Sequence, residues 1–186
     1  GMLRQVGAIQ VHDLDELLDI LVALRHLGRP SGDRIAIVTG PGGPAVSAAD
    51  ACEEAGLELS DLAEETKTRL RGVVASTGTS VQNPVDIGLQ LARAAEMYRE
   101  ALAVTIRDPG VDAVVVIGSS GQAEGWQAHV EAMGELARVA AKPLLYVSFG
   151  AIDPVVAQAL AEVKIPSFSS AERAVRTYAR VRYPTR

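Results

Sequence analysis

The chain has 186 residues, of which 48% are hydrophobic and 22% charged, a composition typical of one globular domain with a full core. Its net charge of −5 and its lack of a basic run argue against a nucleic-acid partner. No apolar run approaches the ~18 residues of a membrane span, and the single Cys52 cannot form an internal disulfide, so we expect a protein of the reducing cytoplasm.

The first predicted element is an amphipathic helix. Asp13 and Glu16 have the spacing of a capping box. Leucines then recur at helical spacing from Leu14 to Leu24, which gives the helix one apolar face. We expect a single domain over residues 1–186, with residues 1–30 as a helical lead-in.

A strand, a glycine turn and a helix start follow one another directly after this lead-in. Ile35–Val38 has the β-branched pattern of a buried strand. Gly40-Pro41-Gly42-Gly43 predicts a tight turn, and Pro44 suits the first position of a helix that ends at Gly56. Free N–H groups and the positive end of a helix dipole attract anions, so this segment is a candidate phosphate site.

The donors available in this segment are backbone N–H groups, because proline has none. We expect them to come from Gly42, Gly43, Ala45 and Val46, with Gly40 supporting the loop. A tight turn without any ligand is the alternative interpretation of the same glycines. A phosphate-binding P-loop is excluded, because no Gly-Lys-Ser/Thr follows, and a dinucleotide site lacks the acidic residue that contacts ribose.

Strands and helices alternate through the rest of the chain, which predicts a parallel sheet with helices on both faces. Five strands indicate the doubly wound, flavodoxin-like α/β order. Ligands of such sheets bind beyond the carboxyl ends of the strands, where the loops at Gly40, Asn83, Ser119 and Gly150 would meet. The predicted segments after the glycine turn are strands at 57–59, 112–118, 143–149 and 165–168, and helices at 60–73, 91–107, 126–141, 154–163 and after 170, with Ser60 as one helix cap.

Few side chains suggest chemistry, and we predict no catalytic residue and no metal site. The three histidines, His12, His26 and His129, have no partner at metal-ligand spacing and are expected on the surface or at helix ends. Gly118-Ser-Ser-Gly121 departs from the nucleophile motif of hydrolases, and no histidine follows Asp153. Asn83-Pro-Val-Asp86 should lie near the glycine loop, although a turn or helix-cap role for Asp86 is equally open.

Several segments together resemble the NDP-forming acyl-CoA synthetases. They are Arg4–Ile9, Arg34–Thr39 with the Gly-Gly-Pro that follows, Glu53–Leu59, Asn83–Asp86, Asp108–Val114 and the closing segment from Ile165 to Val175. The match covers nearly the whole chain. The chain is similar to the second flavodoxin-like domain of that family, the ligase-CoA domain. That domain is comparable to the C-terminal domain of the succinyl-CoA synthetase β subunit.

The resemblance implies a role in converting acyl-CoA, NDP and phosphate into acid, CoA and NTP through a phosphohistidine. This module would supply one helix N-terminus that faces the phosphohistidine, at Gly42, Gly43 and Pro44–Val46, with Asn83 and Asp86 alongside. The histidine itself would belong to a CoA-binding, phosphohistidine part, and the nucleotide to an ATP-grasp domain, in the same chain or in separate subunits. CoA, ATP or ADP and Mg²⁺ would be used by that full enzyme, and none of them is expected to bind this domain alone.

One departure from the family pattern lies in the glycine turn. The family usually has Asn and a small residue before the Gly-Gly pair, where this chain has Gly40 and Pro41. A side-chain amide that could contact phosphate is therefore missing. A non-catalytic binding or assembly module, which kept the fold and lost the chemistry, is the alternative to a working ligase domain.

Overall fold

The fold was analysed in a computed structural model that describes residues 8–40, 42–74, 78–88, 94–119, 121–122 and 124–182. The helices are α1 (Leu14–Leu27), α2 (Gly42–Glu54), α3 (Glu64–Val73), α4 (Ala94–Thr105), α5 (Trp126–Ala140), α6 (Pro154–Glu162) and α7 (Ala171–Val181). The strands are β1 (Arg34–Thr39), β2 (Glu58–Leu59), β3 (Val85–Asp86), β4 (Ala113–Ser119), β5 (Leu144–Phe149) and β6 (Ser167–Phe168). Pro41 and residues 1–7 and 91–93 of the predicted elements lie outside the described residues.

One parallel sheet runs through the molecule in the order β2-β1-β4-β5-β6. Each of these strands pairs in parallel with its neighbour, as β1 does with β4 from Ile35 opposite Ala113 to Thr39 opposite Ile117. This order confirms the flavodoxin-like doubly wound α/β prediction. The sheet has six strands rather than the expected five, because β3 also pairs with β1, beyond the point where β2 ends.

Alternate residues of the central strands face opposite sides of the sheet, and each side has its own core. Ala36, Val38, Val114 and Val116 pack with side chains of α3, α4, α5 and α6. Ile35, Ile37, Val115 and Ile117 pack with α2 and α7. Both sides are therefore covered, which explains why these strands are continuous apolar runs in the sequence.

Helix α1 lies outside this layered arrangement and packs on α7. Ile20 and Ala23 are buried against Val181, and Asp19 accepts two hydrogen bonds from the Arg173 guanidinium, at 2.7 and 2.9 Å. The lead-in helix is thus attached by both an apolar contact and an ion pair. None of the helices in the described part of the chain has the length and apolar character needed to cross a bilayer.

Two helices begin at residues other than the predicted ones. Helix α2 begins at Gly42, so Pro44 is its third residue rather than its first. Helix α3 begins at Glu64 rather than after Ser60, whose hydroxyl donates to the Gly110 carbonyl at 2.7 Å and caps no helix. The N–H of Ala63, at the start of α3, is bound instead by the Asp108 carboxylate at 2.8 Å.

Candidate functional site

The glycine turn lies at the carboxyl edge of the sheet, where β1 ends. Gly40 is buried there against Tyr98 of α4, whose hydroxyl donates to the Ile117 carbonyl at 2.7 Å and accepts a hydrogen bond from the Gly40 N–H. A Cβ at residue 40 would be 2.7 Å from that hydroxyl. The tyrosine therefore fills the space that a side chain at position 40 would need, so glycine is the residue that fits there.

Asn83 closes a gap in hydrogen bonding along the outer edge of β1. Its Oδ1 accepts from the Ile37 N–H at 2.9 Å, and its Nδ2 donates to the carbonyls of Ile35 and Ser60 at 2.7 and 3.0 Å. These groups lie between the stretch of β1 that pairs with β2 and the stretch that pairs with β3. Both ends of the amide bind backbone groups, so Asn83 joins β1 to Ser60, the residue that follows β2.

Asp86 lies beside the end of β1, where it pairs with Thr39. Thr39 is the residue that precedes Gly40. Its Oδ1 accepts from the Gly88 N–H at 2.8 Å, which is the turn role that the sequence left open. Its backbone also pairs with Ser80 in both directions, at 2.8 and 3.0 Å. The structure therefore brings Gly40 and Asp86 together at the carboxyl end of β1, whereas the Asn83 amide lies further back along β1, at Ile35 and Ile37.

The observed start of α2 changes which backbone donors are available. In an α-helix the N–H of residue i bonds the carbonyl of residue i−4, so the Val46 N–H is directed to the Gly42 carbonyl. The first-turn donors without an intrahelical acceptor are those of Gly42 and Gly43. Gly43 is exposed, and a Cβ there would meet no atom within 4 Å. The space in front of this helix end is open to an approaching group.

A cleft of about 280 Å³ opens between the first turns of α2 and α7. Its walls include Gly43, Pro44, Ser47, Phe149, Ser170 and Glu172. Among its described lining residues there is no lysine or arginine, and the Glu172 carboxylate is the charged group. Any anion at this position would depend on backbone donors from this chain and on positive charge from elsewhere.

A larger cleft of about 860 Å³ lies at the opposite, amino edge of the sheet. Its charged lining residues include Arg29, Asp112, Arg138, Lys142 and Lys164. The cleft lies at the carboxyl ends of α1, α5 and α6. At a carboxyl end the groups without an intrahelical hydrogen bond are carbonyls and not N–H groups. Ligands of doubly wound sheets bind at the carboxyl edge, so we place the candidate site at the smaller cleft.

Burial shifts the pKa values of two tyrosines and one histidine near the carboxyl edge. Burial raises the pKa of the Tyr98 hydroxyl, and it raises the pKa of Tyr146 to about 12. His129, expected on the surface or at a helix end, is in the first turn of α5 with its ring against Tyr98, 6.0 Å between centroids. Burial, aided by Arg99, lowers the pKa of His129, and its Nδ1 is buried without a hydrogen-bond partner in the described part of the chain.

The described residues provide neither a reactive thiol nor a group of metal ligands at this edge. Cys52 is fully buried between the sheet and α7, and burial raises the pKa of its thiol to about 12, so the thiol is unreactive packing. Among the described residues no three His, Cys, Asp or Glu side chains are grouped so as to hold a metal ion. Tyr98 was not predicted as part of this edge, because its distance from Gly40 along the chain carries no pattern.

The chain is similar in sequence to proteins of one enzyme family. A family profile described as the ligase-CoA domain matches residues 35–165. The alpha subunit of an ADP-forming acetate–CoA ligase II from Pyrococcus furiosus is 36% identical over 114 residues, which cover 61% of this chain and 24% of that protein. An ADP-forming 4-hydroxybutyrate–CoA ligase from Nitrosopumilus maritimus is 29% identical over 182 residues, which cover 96% of this chain and 25% of that protein.

The fold is likewise similar to that of a longer protein of known structure. A crystal structure of a Pyrococcus horikoshii protein superposes with a TM-score of 0.81 at 28% identity, covering 96% of this chain and 42% of that one. The present chain thus spans about a quarter of the length of the two curated relatives, at 24% and 25%.

Proposed function

Because this chain belongs to the ligase-CoA domain family of the NDP-forming acyl-CoA synthetases, we propose that it serves as one module of an enzyme that interconverts acyl-CoA, NDP and phosphate with acid, CoA and NTP. Residues 1–186 act as a single domain in this proposal, with residues 1–30 as its lead-in. The packing of α1 on α7 supports that unit. The cytoplasm is the proposed compartment, in keeping with the single buried cysteine.

The proposed role is to stabilise a phosphoryl group with the N-terminus of α2. The observation that carries it is the open, exposed first turn of α2 at the carboxyl edge, beside the 280 Å³ cleft. The N–H groups of Gly42 and Gly43 are the principal donors, and Ala45 and Val46 complete the first turn. Gly40, Asn83 and Asp86 hold the loop in place through the contacts described above.

The partners proposed for this module are a CoA-binding, phosphohistidine domain and an ATP-grasp domain. One curated relative is named as an alpha subunit and the other as a ligase without a subunit designation, so in this proposal the partners are separate subunits or parts of one chain. In this proposal CoA, ATP or ADP and Mg²⁺ bind to the partner domains. The phosphohistidine belongs to the CoA-binding partner domain. The present chain contributes backbone N–H groups that donate to the phosphoryl oxygens.

A non-catalytic assembly module is the second candidate. Two observations favour it: Gly40 leaves no amide side chain near the phosphate, and Glu172 adds a negative charge to the cleft. The two candidates differ in one respect that can be measured. A ligase module is needed for turnover by the assembled enzyme, whereas an assembly module is needed only for the association of the other parts.

The purified chain alone is expected to have no acyl-CoA synthetase activity. The sequence has no glycine-lysine loop for a nucleotide, and no histidine is among the described residues that line the cleft. The assay is nucleoside triphosphate formation from acyl-CoA, NDP and phosphate, with and without the partner domains added. Turnover by the chain alone would refute the module assignment, and activity that appears only on mixing would support it.

Inorganic phosphate is expected to bind the isolated chain no better than roughly millimolar, which corresponds to about −4 kcal/mol. A helix dipole contributes only ~0.3–1 kcal/mol to an exposed anion, and each charge-assisted hydrogen bond contributes ~1.5–3 kcal/mol before the ion is dehydrated. The absence of lysine and arginine from the described lining of the cleft limits the affinity further.

Phosphate titration by ¹H–¹⁵N NMR measures this affinity residue by residue. Shifts confined to Gly42–Val46 and Asp86 support the proposed site. The cleft at the amino edge, which is lined by Arg29, Lys142 and Lys164, is the alternative phosphate site within the same chain. Shifts that occur only there, at tens of millimolar phosphate, would leave the glycine segment as a tight turn without a ligand.

A further inference from the structure

The strand order of the sheet reverses between β1 and β4. The order is β2-β1-β4-β5-β6, so the chain leaves β1 toward one side of the sheet and leaves β4 toward the other. The helices that follow these two strands lie on opposite faces, α2 on the face of Ile37 and α5 on the face of Val116. Such a reversal opens a crevice between the carboxyl ends of the two strands.

The Tyr98 hydroxyl lies across this crevice. The pairing of β1 with β3 and with β4 ends at Thr39, so Gly40 is the first residue beyond the sheet. The hydroxyl accepts a hydrogen bond from the Gly40 N–H, and it donates to the carbonyl of Ile117, on β4, at 2.7 Å. One side-chain oxygen therefore joins the ends of the two strands.

The side chain of Tyr98 is well suited to hold this bridge. It is half-buried and packs against the core on the α4 and α5 side of the sheet. Its ring meets the His129 ring edge to face, with 6.0 Å between centroids and 74° between planes, an arrangement that aromatic pairs favour. Burial raises the pKa of the Tyr98 hydroxyl, so the hydroxyl keeps its proton and can donate and accept at the same time.

We propose that Tyr98 is a positioning residue, which fixes the first turn of α2 by holding Gly40 against the end of β4. Gly42, where α2 begins, is two residues after Gly40, and the N–H groups of Gly42 and Gly43 have no acceptor within the helix. The buried residues of α2 pack on the face of the sheet opposite to Tyr98. The direction of the two free N–H groups then depends on where the turn leaves β1, and the tyrosine sets that point. Any effect on turnover rests on the proposed phosphoryl role, whereas the effect on the backbone does not.

Gly40 and Tyr98 are coupled by space as well as by a hydrogen bond. A Cβ at residue 40 would be 2.7 Å from the Tyr98 hydroxyl oxygen, but 3.5 and 3.6 Å from the ring carbons Cζ and Cε2. Gly40→Ala is therefore expected to collide with the hydroxyl alone, and Tyr98→Phe removes the collision. Combining the two substitutions restores contact between the residues without restoring the bridge, which separates packing from hydrogen bonding.

Backbone ¹⁵N relaxation of the chain tests the proposal. Gly42 and Gly43 are expected to have order parameters near ~0.85 in the wild type, as rigid backbone does, and Tyr98→Phe is expected to lower both towards ~0.6. The double variant, Tyr98→Phe with Gly40→Ala, is expected to keep the low values, although it should resist urea better than Gly40→Ala alone. Circular dichroism confirms that each variant is folded, and the double variant supplies the test if Tyr98→Phe alone is not.

Tyr178→Phe is the matched control. Tyr178 is likewise a buried tyrosine whose hydroxyl donates to the backbone, at the Gly32 carbonyl, 3.2 Å away, but it lies on α7 at the amino edge of the sheet. This variant should leave the order parameters of Gly42 and Gly43 unchanged. An equal fall in Tyr98→Phe and Tyr178→Phe, or low values already in the wild type, overturns the proposal, as does a Tyr98→Phe chain with unchanged values.

Turnover of the assembled synthetase is the second readout. Tyr98→Phe is expected to lower kcat roughly 10–100-fold with little change in KM for acyl-CoA, because small displacements of reacting groups have effects of that size. Recovery of kcat or of the order parameters in the double variant would mean that the hydroxyl only fills space, and would overturn the positioning role. If Tyr98→Phe lowers the order parameters while Gly43→Val leaves turnover unchanged, the phosphoryl role is wrong and the positioning of α2 stands.

Discussion

Replacing Asn83 with alanine is expected to lower the free energy of unfolding by roughly 3 kcal/mol, because a buried polar group without a partner costs ~1–3 kcal/mol. The substitution leaves the Ile37 N–H without its acceptor and the Ser60 carbonyl without its donor. The Ile35 carbonyl is less affected, because it also accepts from the Ser60 N–H at 2.9 Å. Urea denaturation followed by circular dichroism measures the change.

Asn83→Asp is the matched variant, since it keeps the shape of the side chain. The carboxylate can still accept from the Ile37 N–H, but it faces the carbonyl oxygens of Ile35 and Ser60 without a donor. We expect this variant to be at least as unstable as alanine at neutral pH. A loss below about 1 kcal/mol in both variants would mean that water or a rearranged loop replaces the amide.

Gly43→Val is expected to lower turnover of the assembled synthetase by roughly 100-fold, the usual effect of losing a donor to a transition-state anion. The valine side chain would occupy the open space in front of α2, where a Cβ meets no protein atom within 4 Å. The backbone N–H remains, but the phosphoryl group can no longer approach it. The effect should be on kcat more than on the binding of acyl-CoA, because the contact is made by the reacting group.

Gly72→Val provides the matched control for this prediction. Gly72 is also an exposed helical glycine with no atom within 4 Å of a Cβ, but it lies near the end of α3, away from the candidate site. Both substitutions replace a helical glycine by valine, which has the higher helix propensity of the two, so a difference between the variants reports on position. Full turnover by a folded Gly43→Val enzyme would favour the assembly-module alternative.

The architecture could be predicted because the central strands are long and apolar on both sides. β1, β4 and β5 appear in the sequence as continuous runs, and their pairing order follows from the alternation with helices. The strand β3 was not predicted as part of the sheet. It has only two residues, Val85 and Asp86, directly after a proline, and such a short segment has no periodicity.

Helix starts were less predictable, because competing capping groups come from distant parts of the chain. The first three helical positions leave their N–H groups unpaired, so Pro44 fits the third position of α2 as well as the first. At α3, Asp108 binds the Ala63 N–H, while Ser60 turns to Gly110. Asp108 is 45 residues away from Ala63, and no local pattern signals such a contact.

Some features of the candidate site could likewise be predicted from local sequence, whereas others depend on contacts between distant residues. The strand, the glycines and the helix that follows are adjacent in the chain, and they indicated an anion site directly. Tyr98 and Asn83 act through contacts with residues at least 19 and 23 positions away. Their roles could be assigned only once the sheet had brought those partners together.

The composite outer edge of β1 also bears on how the protein avoids aggregation. That edge is covered in turn by β2, the Asn83 amide and β3, and the opposite side of the sheet ends in β6, which has two residues. Within the described residues, the strands that border the sheet are therefore too short to template a strand from another molecule. Fibril-like growth through strand addition is therefore disfavoured at both sides of the sheet.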